Sequence, residues 1–365
     1  VNKRMKIGII RNEKPDTADD WVRACENSGV HYRVIDISSD SWLEQIQSEE
    51  FDFYVTHPSG SYERYKTLFD ERLHIVAIDL GLKVFPSFNE SLIYENKKML
   101  SYFLASHSIP HPETYVFYSF QEAKAFAEKT GYPFVAKTSI GASGSGVKII
   151  RTKADAMAYI EKAFNGSGIK RRFGPNRVTG SPKKWIDKTL RSPGYFWKRM
   201  KYYFEINSNA QFGYVIFQKY IEHDFEWRIV KIGESYFAHK KMKVEDKASG
   251  GKVKQFGFPP REILDFVDNL CRENEFNCVC VDVFESTVGY LVNEIQCVFG
   301  IPYGYLSKVG EDVGRFLKKG SDWEFDKGNF TTNNCCDIKL DTAIKLFNAT
   351  QSDPGYNLGG NTYGS

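Results

Sequence analysis

The chain has 365 residues, 42% of them apolar, and a formal net charge of only +3. Its length exceeds a single ordinary core and its apolar content fills two or three subdomains, while the near-neutral balance names no partner. No apolar stretch approaches the roughly 20 residues that cross a bilayer, and VNKRMKIGII lacks the apolar region and cleavage site of a signal peptide, so a cytoplasmic chain is expected.

The first ninety residues alternate apolar runs (6–10, 31–37, 51–57, 74–80 and 83–87) with amphipathic stretches at 17–28 and 61–73. That pattern predicts a small, mostly parallel α/β sheet with helices on both faces. Its candidate ligand tip is His57-Pro-Ser-Gly-Ser61, or else an ordinary turn; no GxGxxG follows the first strand, which argues against a dinucleotide site. From Asn89 a helix is expected, because Met99, Leu100, Phe103, Leu104 and His107 recur at helical spacing up to Ile109-Pro110. Ser119-x-x-Glu122 and Thr152-x-x-Asp155 each open a further helix.

Between those two helices lie strand, glycine loop and strand: PFVAKTS, Gly141-Ala-Ser-Gly-Ser-Gly146 and VKIIR. Lys137 at the end of a buried strand places one positive charge against phosphate, and the small residues after it let backbone N–H groups approach phosphate oxygens. Further strands are expected at 214–219, 226–233 and 235–243, then a helix at 261–274 and a hairpin of 279–285 with 290–296. Alternation puts Glu226 and Arg228 on one face, and allows only one of Lys240 and Lys241 to reach a site. A register pairing Asp282 with Glu294 brings both acids and Gln296 together. Like charges opposite one another are costly unless a cation lies between, so the three are expected to ligate Mg²⁺.

The order of these pieces resembles the ATP-grasp superfamily, the carboxylate–amine ligases typified by D-alanine:D-alanine ligase and the ribosomal-protein glutamate ligases. The resemblance covers about residues 1–165 and 210–310. It implies an α/β fold: a small Rossmann-like domain (1–90), then two ATP-grasp subdomains (91–164 and 214–320) enclosing the nucleotide, with an insertion (165–213) and a tail (321–365). It further implies ATP and Mg²⁺, with Mn²⁺ as substitute, as cofactors. Lys97, Lys137, Gly141, Ser143, Gly144, Ser145 and Gly146 then hold phosphates, and Gln218, Lys219, Tyr220 and Ile221 form the hinge at the adenine. Glu226 takes the ribose, Asp282, Glu294 and Gln296 the metal, and Arg228 with Lys240 the transferred phosphoryl group. Lys240 is preferred to Lys241 on the family's pattern. Gln296 departs from the family's usual Asn, which puts the second metal position in doubt. Residues 246–251 match a loop that closes over the substrates.

The implied activity is ATP-dependent amide or peptide bond formation between a small or peptide-like carboxylate and an amine, through an acylphosphate. A kinase on the same fold, or an ATP-binding protein without turnover, is the alternative. The insertion carries eleven Lys or Arg against two acids, interleaved with aromatics. It fits an anionic part of a substrate or a solvated face, and no motif for sequence-specific nucleic-acid binding accompanies it. A homodimer is compatible with the sequence. Residues 311–319 are expected to be helical, with another helix around 337–348. Seven cysteines without CxxC spacing argue for reduced thiols rather than disulfides or zinc.

Overall fold

The computed structural model describes residues 5–12, 18–58, 60, 62–141, 144–171, 210–243, 253–301 and 303–352, with positions 194, 197, 200, 201, 204 and 205. Three sheets organise them. The first is built from β1 (Lys6–Arg11), α1 (Ala18–Asn27), β2 (His31–Asp36), α2 (Trp42–Gln47), β3 (Phe53–Thr56), α3 (Glu63–His74) and β4 (Val84–Phe85). Its strands run in the order β2-β1-β3-β4, all parallel, as the alternating apolar runs predict. One run is different: Ile75–Asp79 is a π-helical extension of α3, not a strand. Lys66, Phe69, Leu73 and Val76 are buried at helical spacing while Ile78 is exposed, so tertiary burial follows the 3.6-residue period and overrides the β-branched composition.

Next come α4 (Phe88–Ile93) and α5 (Lys97–Ser106), two helices where the spacing predicts one. Glu90 explains the first. One of its oxygens closes a capping box with Ser87, and the other accepts the backbone N–H groups of Asn277 and Cys278, at 2.7 and 2.6 Å. Asn96 caps the second by accepting from Met99 N–H at 3.1 Å. Between them Glu95 sits in the left-handed region, φ 48°, which breaks the helical run.

The second sheet contains β5 (Thr114–Phe117), β6 (Phe134–Lys137), β7 (Val147–Ile150) and β8 (Val215–Lys219), with α6 (Phe120–Lys129) and α7 (Lys153–Phe164) covering one face. Its order is β5-β8-β6-β7, antiparallel throughout. Ser119 and Thr152 cap their helices as the sequence predicts. The insertion that follows α7 is closed at its neck by an antiparallel bridge between Ile169 and Gln211; residues 172–193 lie outside the described residues.

The third and largest sheet comprises β9 (Phe225–Ile232), β10 (Ser235–Met242), β11 (Lys254–Gln255), β12 (Cys278–Ser286), β13 (Gly289–Gln296), β14 (Lys308–Val309), β15 (Asp312–Lys319) and β16 (Asp322–Lys327), with α8 (Arg261–Glu273) and α9 (Cys336–Ser352). The main order is β13-β12-β9-β10-β15-β14. The segment 312–319 is therefore a strand, not the helix expected. Gly314 and Phe316 alternate inward, and a Cβ on Gly314 would stand 2.3 Å from the Asp326 carbonyl oxygen. The expected tail is likewise built in: β16 pairs with β15, and Leu340, Ala343 and Phe347 of α9 join Trp21 and Ala24 of α1 in one core.

The faces of this sheet divide the labour. One face, with Ile229, Ala238, Val281 and Ile295, packs on α5 and α8. The other is apolar only at one end, where Val230, Ile232, Phe237, Cys278 and Cys280 meet the first sheet's layer. Toward the other end of that same face its inward positions turn polar. Among the described residues no helix is long and apolar enough to cross a membrane.

Candidate active site

Two cross-strand rows make up the polar end of that face. Register places Glu294 opposite Asp282, Asp282 opposite Arg228 and Arg228 opposite His239, so four side chains line up across β13, β12, β9 and β10. The pairing of Asp282 with Glu294 is the one expected. In the next row Glu226 stands opposite Lys241, and Lys241 opposite Lys254. Asp282 is the hub. Arg228 donates to it through Nε and Nη2, each at 2.8 Å, and Lys241 Nζ donates at 2.8 Å to Asp282 and at 2.7 Å to Glu226. Burial raises the cost of charge at Asp282, yet Arg228 and Lys241 hold its carboxyl well below the usual range. Burial likewise opposes the charge on Lys241, and Asp282 and Glu226 more than offset it.

A cleft enclosing about 740 Å³ of open space lies between this face and the second sheet. Lys137 enters from β6 and donates to Asn293 Oδ1 at 3.0 Å, and Asn293 in turn donates to Glu226 at 3.2 Å. Burial pushes the Lys137 ammonium down to about 8, against the pull of Glu294. Lys97, the first residue of α5, donates to the Gly141 carbonyl at 2.9 Å and stands 3.5 Å from Glu95 and 3.4 Å from Glu294. Val135, Ile149 and Phe284 give the cleft apolar walls, and Gln218, Lys219, Tyr220 and Ile221 edge it. His223 Nδ1 donates to the Ile221 carbonyl at 2.8 Å, and its Nε2 lies in the cleft 3.9 Å from Glu226.

The glycine loop is a hairpin tip between β6 and β7. Thr138 N–H donates to Gly146 O at 2.8 Å, and a Cβ on Gly146 would fall 1.7 Å from Thr138 Oγ1, so only glycine closes it. Gly144 turns at φ 66°. Gly141 and Gly144 line this cleft, while Ser145 and Gly146 line a separate pocket with Lys148 and Lys170. Ser143 lies outside the described residues, as do residues 244–252 of the expected closing loop. The tip at 57–61 is described except for Ser59 and Ser61, and Gly60 packs against Tyr94 and Glu95.

One expectation is corrected. Lys240 does not face the cleft: its ammonium lies 3.9 and 4.9 Å from the ring centroids of Phe225 and Trp227, on the opposite face. Lys241 takes its place, since strand alternation allows only one of the two. Gln296 donates to Glu95 at 3.4 Å and so belongs to the bracing beneath Lys97. Of the expected metal ligands, Asp282 and Glu294 stand opposite one another on β12 and β13. Both Asp282 oxygens are taken by Arg228 and Lys241, and among the described residues no group of three acidic, His or Cys side chains converges on a cation position.

Two residues escaped the sequence reading. Asn293 reaches the cleft beside Glu294 because the ladder slips between Asp282 and Val283, a bulge that points two consecutive residues the same way. Glu95 is fixed by the left-handed turn before α5, and its carboxyl is raised by burial.

Residues 102–188 match the family model described as the carbamoyl-phosphate synthase L chain, ATP binding domain. Phosphoribosylamine–glycine ligase of Halalkalibacterium halodurans is 36% identical over 86 residues, 23% of this chain and 20% of that one. D-Alanine–D-alanine ligase of Petrotoga mobilis is 27% identical over 146 residues, 40% of this chain and 45% of that one. The chain spans less than half the length of these relatives. Among solved structures, D-alanine–D-alanine ligase from Bacillus anthracis complexed with ATP matches with a TM-score of 0.52 at 13% identity, covering 94% of this chain and 99% of that chain. The ATP-grasp ligase PsnB complexed with minimal precursor matches at 0.51 and 10% identity, covering 93% and 99%. The chain has the ATP-grasp fold.

Proposed function

We propose that this chain is an ATP-dependent carboxylate–amine ligase. The carrying observation is the cleft itself: two lysines from different elements, the half-buried Lys97 and the buried Lys137, both feel Glu294 beneath a glycine hairpin, beside a slot walled by Val135, Ile149 and Phe284. A triphosphate needs fixed positive charge and close backbone approach, and its base needs a flat apolar slot. The adenine edge falls to Tyr220 and Ile221, because the Lys219 N–H is already bonded to Glu113 O at 2.8 Å. Glu226 and His223 border the position of the ribose. The ligase names of the proteins it resembles support the same reading.

In the proposed reaction a substrate carboxylate oxygen attacks the γ-phosphorus and the bond to the β–γ bridging oxygen breaks, releasing ADP and leaving an acylphosphate. An amine nitrogen then attacks the acyl carbon, the C–O bond breaks so that phosphate leaves carrying the former carboxylate oxygen, and the amine gives up a proton to form the amide. Lys97 and Lys137 neutralise phosphate charge, and Arg228, held rigidly by Asp282, stabilises the transferred group. No thiol serves as nucleophile: all seven cysteines are buried, and burial pushes Cys278 and Cys280 up to about 12. Substrate-dependent ADP release across pools of carboxylates and amines, with hydroxylamine trapping of the acylphosphate, tests this. Phosphorylation of a hydroxyl with no trapped intermediate would establish the kinase alternative, and ATP binding without ADP formation the non-catalytic one.

A further inference from the structure

The row Glu294–Asp282–Arg228–His239 does not stop at the nucleotide cleft. At about 4.8 Å per strand, its far end at His239 lies roughly 14 Å from Glu294, and there the chemistry changes. His239 Nδ1 is 2.9 Å from the Leu306 carbonyl oxygen. A carbonyl only accepts, so Nδ1 carries the hydrogen. Burial, with Lys254 and Arg228 close by, pushes this histidine down to about 3. Its Nε2 is therefore a neutral acceptor, and it is buried with no hydrogen-bond partner among the described residues, at a residue only 2% exposed. An orphaned buried acceptor is costly and calls for a donor.

Around that nitrogen stand cations and rings. Arg228 spends Nε and Nη2 on Asp282, which leaves its Nη1 hydrogens outside that pair. Lys254 lies 5.5 Å from the Tyr303 ring centroid, and burial together with Arg228 and Lys241 pushes its ammonium down to about 8. Phe256 lies 5.4 Å from the His239 ring and 5.1 Å from Tyr305, and Tyr303 stacks with Tyr305 at 6.0 Å. The folded protein thus maintains positive charge, an unfilled acceptor and an aromatic wall in one place, on the same sheet face as the cleft.

We propose that this shelf binds the acid substrate: a carboxylate pairs with Arg228 and Lys254, a flat ring stacks on Phe256 and Tyr305, and a hydroxyl or N–H donates to His239 Nε2. The carboxylate then stands on Arg228, between the ring and the phosphates. The assignment of substrate class rests on the ligase reading above; the binding site does not. Aromatic stacking and a buried donor–acceptor match favour ring-bearing hydroxy or amino acids over ring-free acids of similar charge.

The test compares L-tyrosine and 4-hydroxyphenylacetate with L-glutamate and 3-hydroxybutyrate in the ADP-release assay, using the full chain, and repeats it with Lys254→Gln and His239→Gln. The ring-bearing acids should show a KM at least tenfold below the ring-free ones, and each variant should raise that KM at least tenfold while the Kd for ATP stays within twofold. Equal or better use of the ring-free acids, no response to either ring-bearing acid, or an unmoved KM in both variants overturns the proposal. If ATP does not bind, the ligase reading fails by itself. Saturation-transfer NMR of L-tyrosine without nucleotide then decides the shelf: a signal lost in Lys254→Gln supports it, and no signal with the native chain rejects it.

Discussion

Lys137 on β6 of the second sheet and Lys241 on β10 of the third are both buried, yet they are held in opposite ways. Lys241 bonds two carboxylates, Glu226 and Asp282, and its charge is favoured over that of a free lysine. Lys137 has a neutral amide, Asn293, as its hydrogen-bonded partner, and burial disfavours its charge. The difference separates scaffold from reagent. A cation whose charge is already matched positions its neighbours, whereas one left short of negative charge is built to receive it from a ligand.

The sharpest way to break this comparison is Asp282→Ala. If Asp282 anchors Arg228 and Lys241, its loss leaves a buried guanidinium without its partner and should cost about 3–5 kcal/mol of stability, read as a large drop in the urea midpoint. A midpoint that stays put while turnover falls would make Asp282 a ligand-binding residue and not an anchor. Glu294→Ala should do the opposite. Glu294 is more exposed than Asp282, 18% against 1% by side chain, and Lys97 keeps Glu95, so the fold should survive while turnover falls more than tenfold, over ~1.4 kcal/mol of transition-state stabilisation. Retention of more than about a tenth of the activity would remove Glu294 from the chemistry.

How far the site could be read in advance follows from the same geometry. Where a strand is regular, period two sufficed: Glu226 and Arg228 share a face of β9, as spacing alone requires. Phase is harder. Lys240 and Lys241 are chemically alike, and only the burial of Phe225 and Trp227 behind Lys240 decides which of them turns inward. A bulge is invisible to alternation, which hid Asn293, and a left-handed turn has no period at all, which hid Glu95. The saturation of Asp282 was also out of reach, because the lysine and arginine that fill it come from 41 and 54 residues away. In the fold, the β-branched run at 74–80 and the glycine-bearing 312–319 misled because local propensity yields to which positions find a core.

Lys137→Met keeps the stem of the side chain and removes the charge. Nucleotide affinity should fall about tenfold, ~1.4 kcal/mol, and kcat further if the charge grows in importance at the transition state. Isothermal titration calorimetry and steady-state kinetics read the two separately. Lys241→Met should instead lower stability, because Glu226 and Asp282 lose a shared buried partner. Equal effects of the two substitutions on both affinity and stability would erase the distinction between them.

The smallest effect, and the most specific, is on pH. Lys137 has its ammonium lowered from 10.5 to about 8 in the folded chain. Between those values the unfolded state binds more protons at this residue than the folded state, so its contribution to stability improves as pH rises from about 8 toward 10.5. Nucleotide binding carries the opposite sign. Phosphate favours the charged form, so affinity should be full below about pH 8 and decline above it, with binding taking up a proton in that upper range. Titrations at pH 7 and pH 9 in buffers of different ionisation enthalpy check both the loss and the uptake. The Lys137→Met variant should lack the proton uptake assigned to this residue, while Lys241→Met should retain it, since Lys241 stays charged throughout. Uptake that persists undiminished in Lys137→Met would assign it to another group, and the contrast between a matched and an unmatched lysine would then lose its functional half.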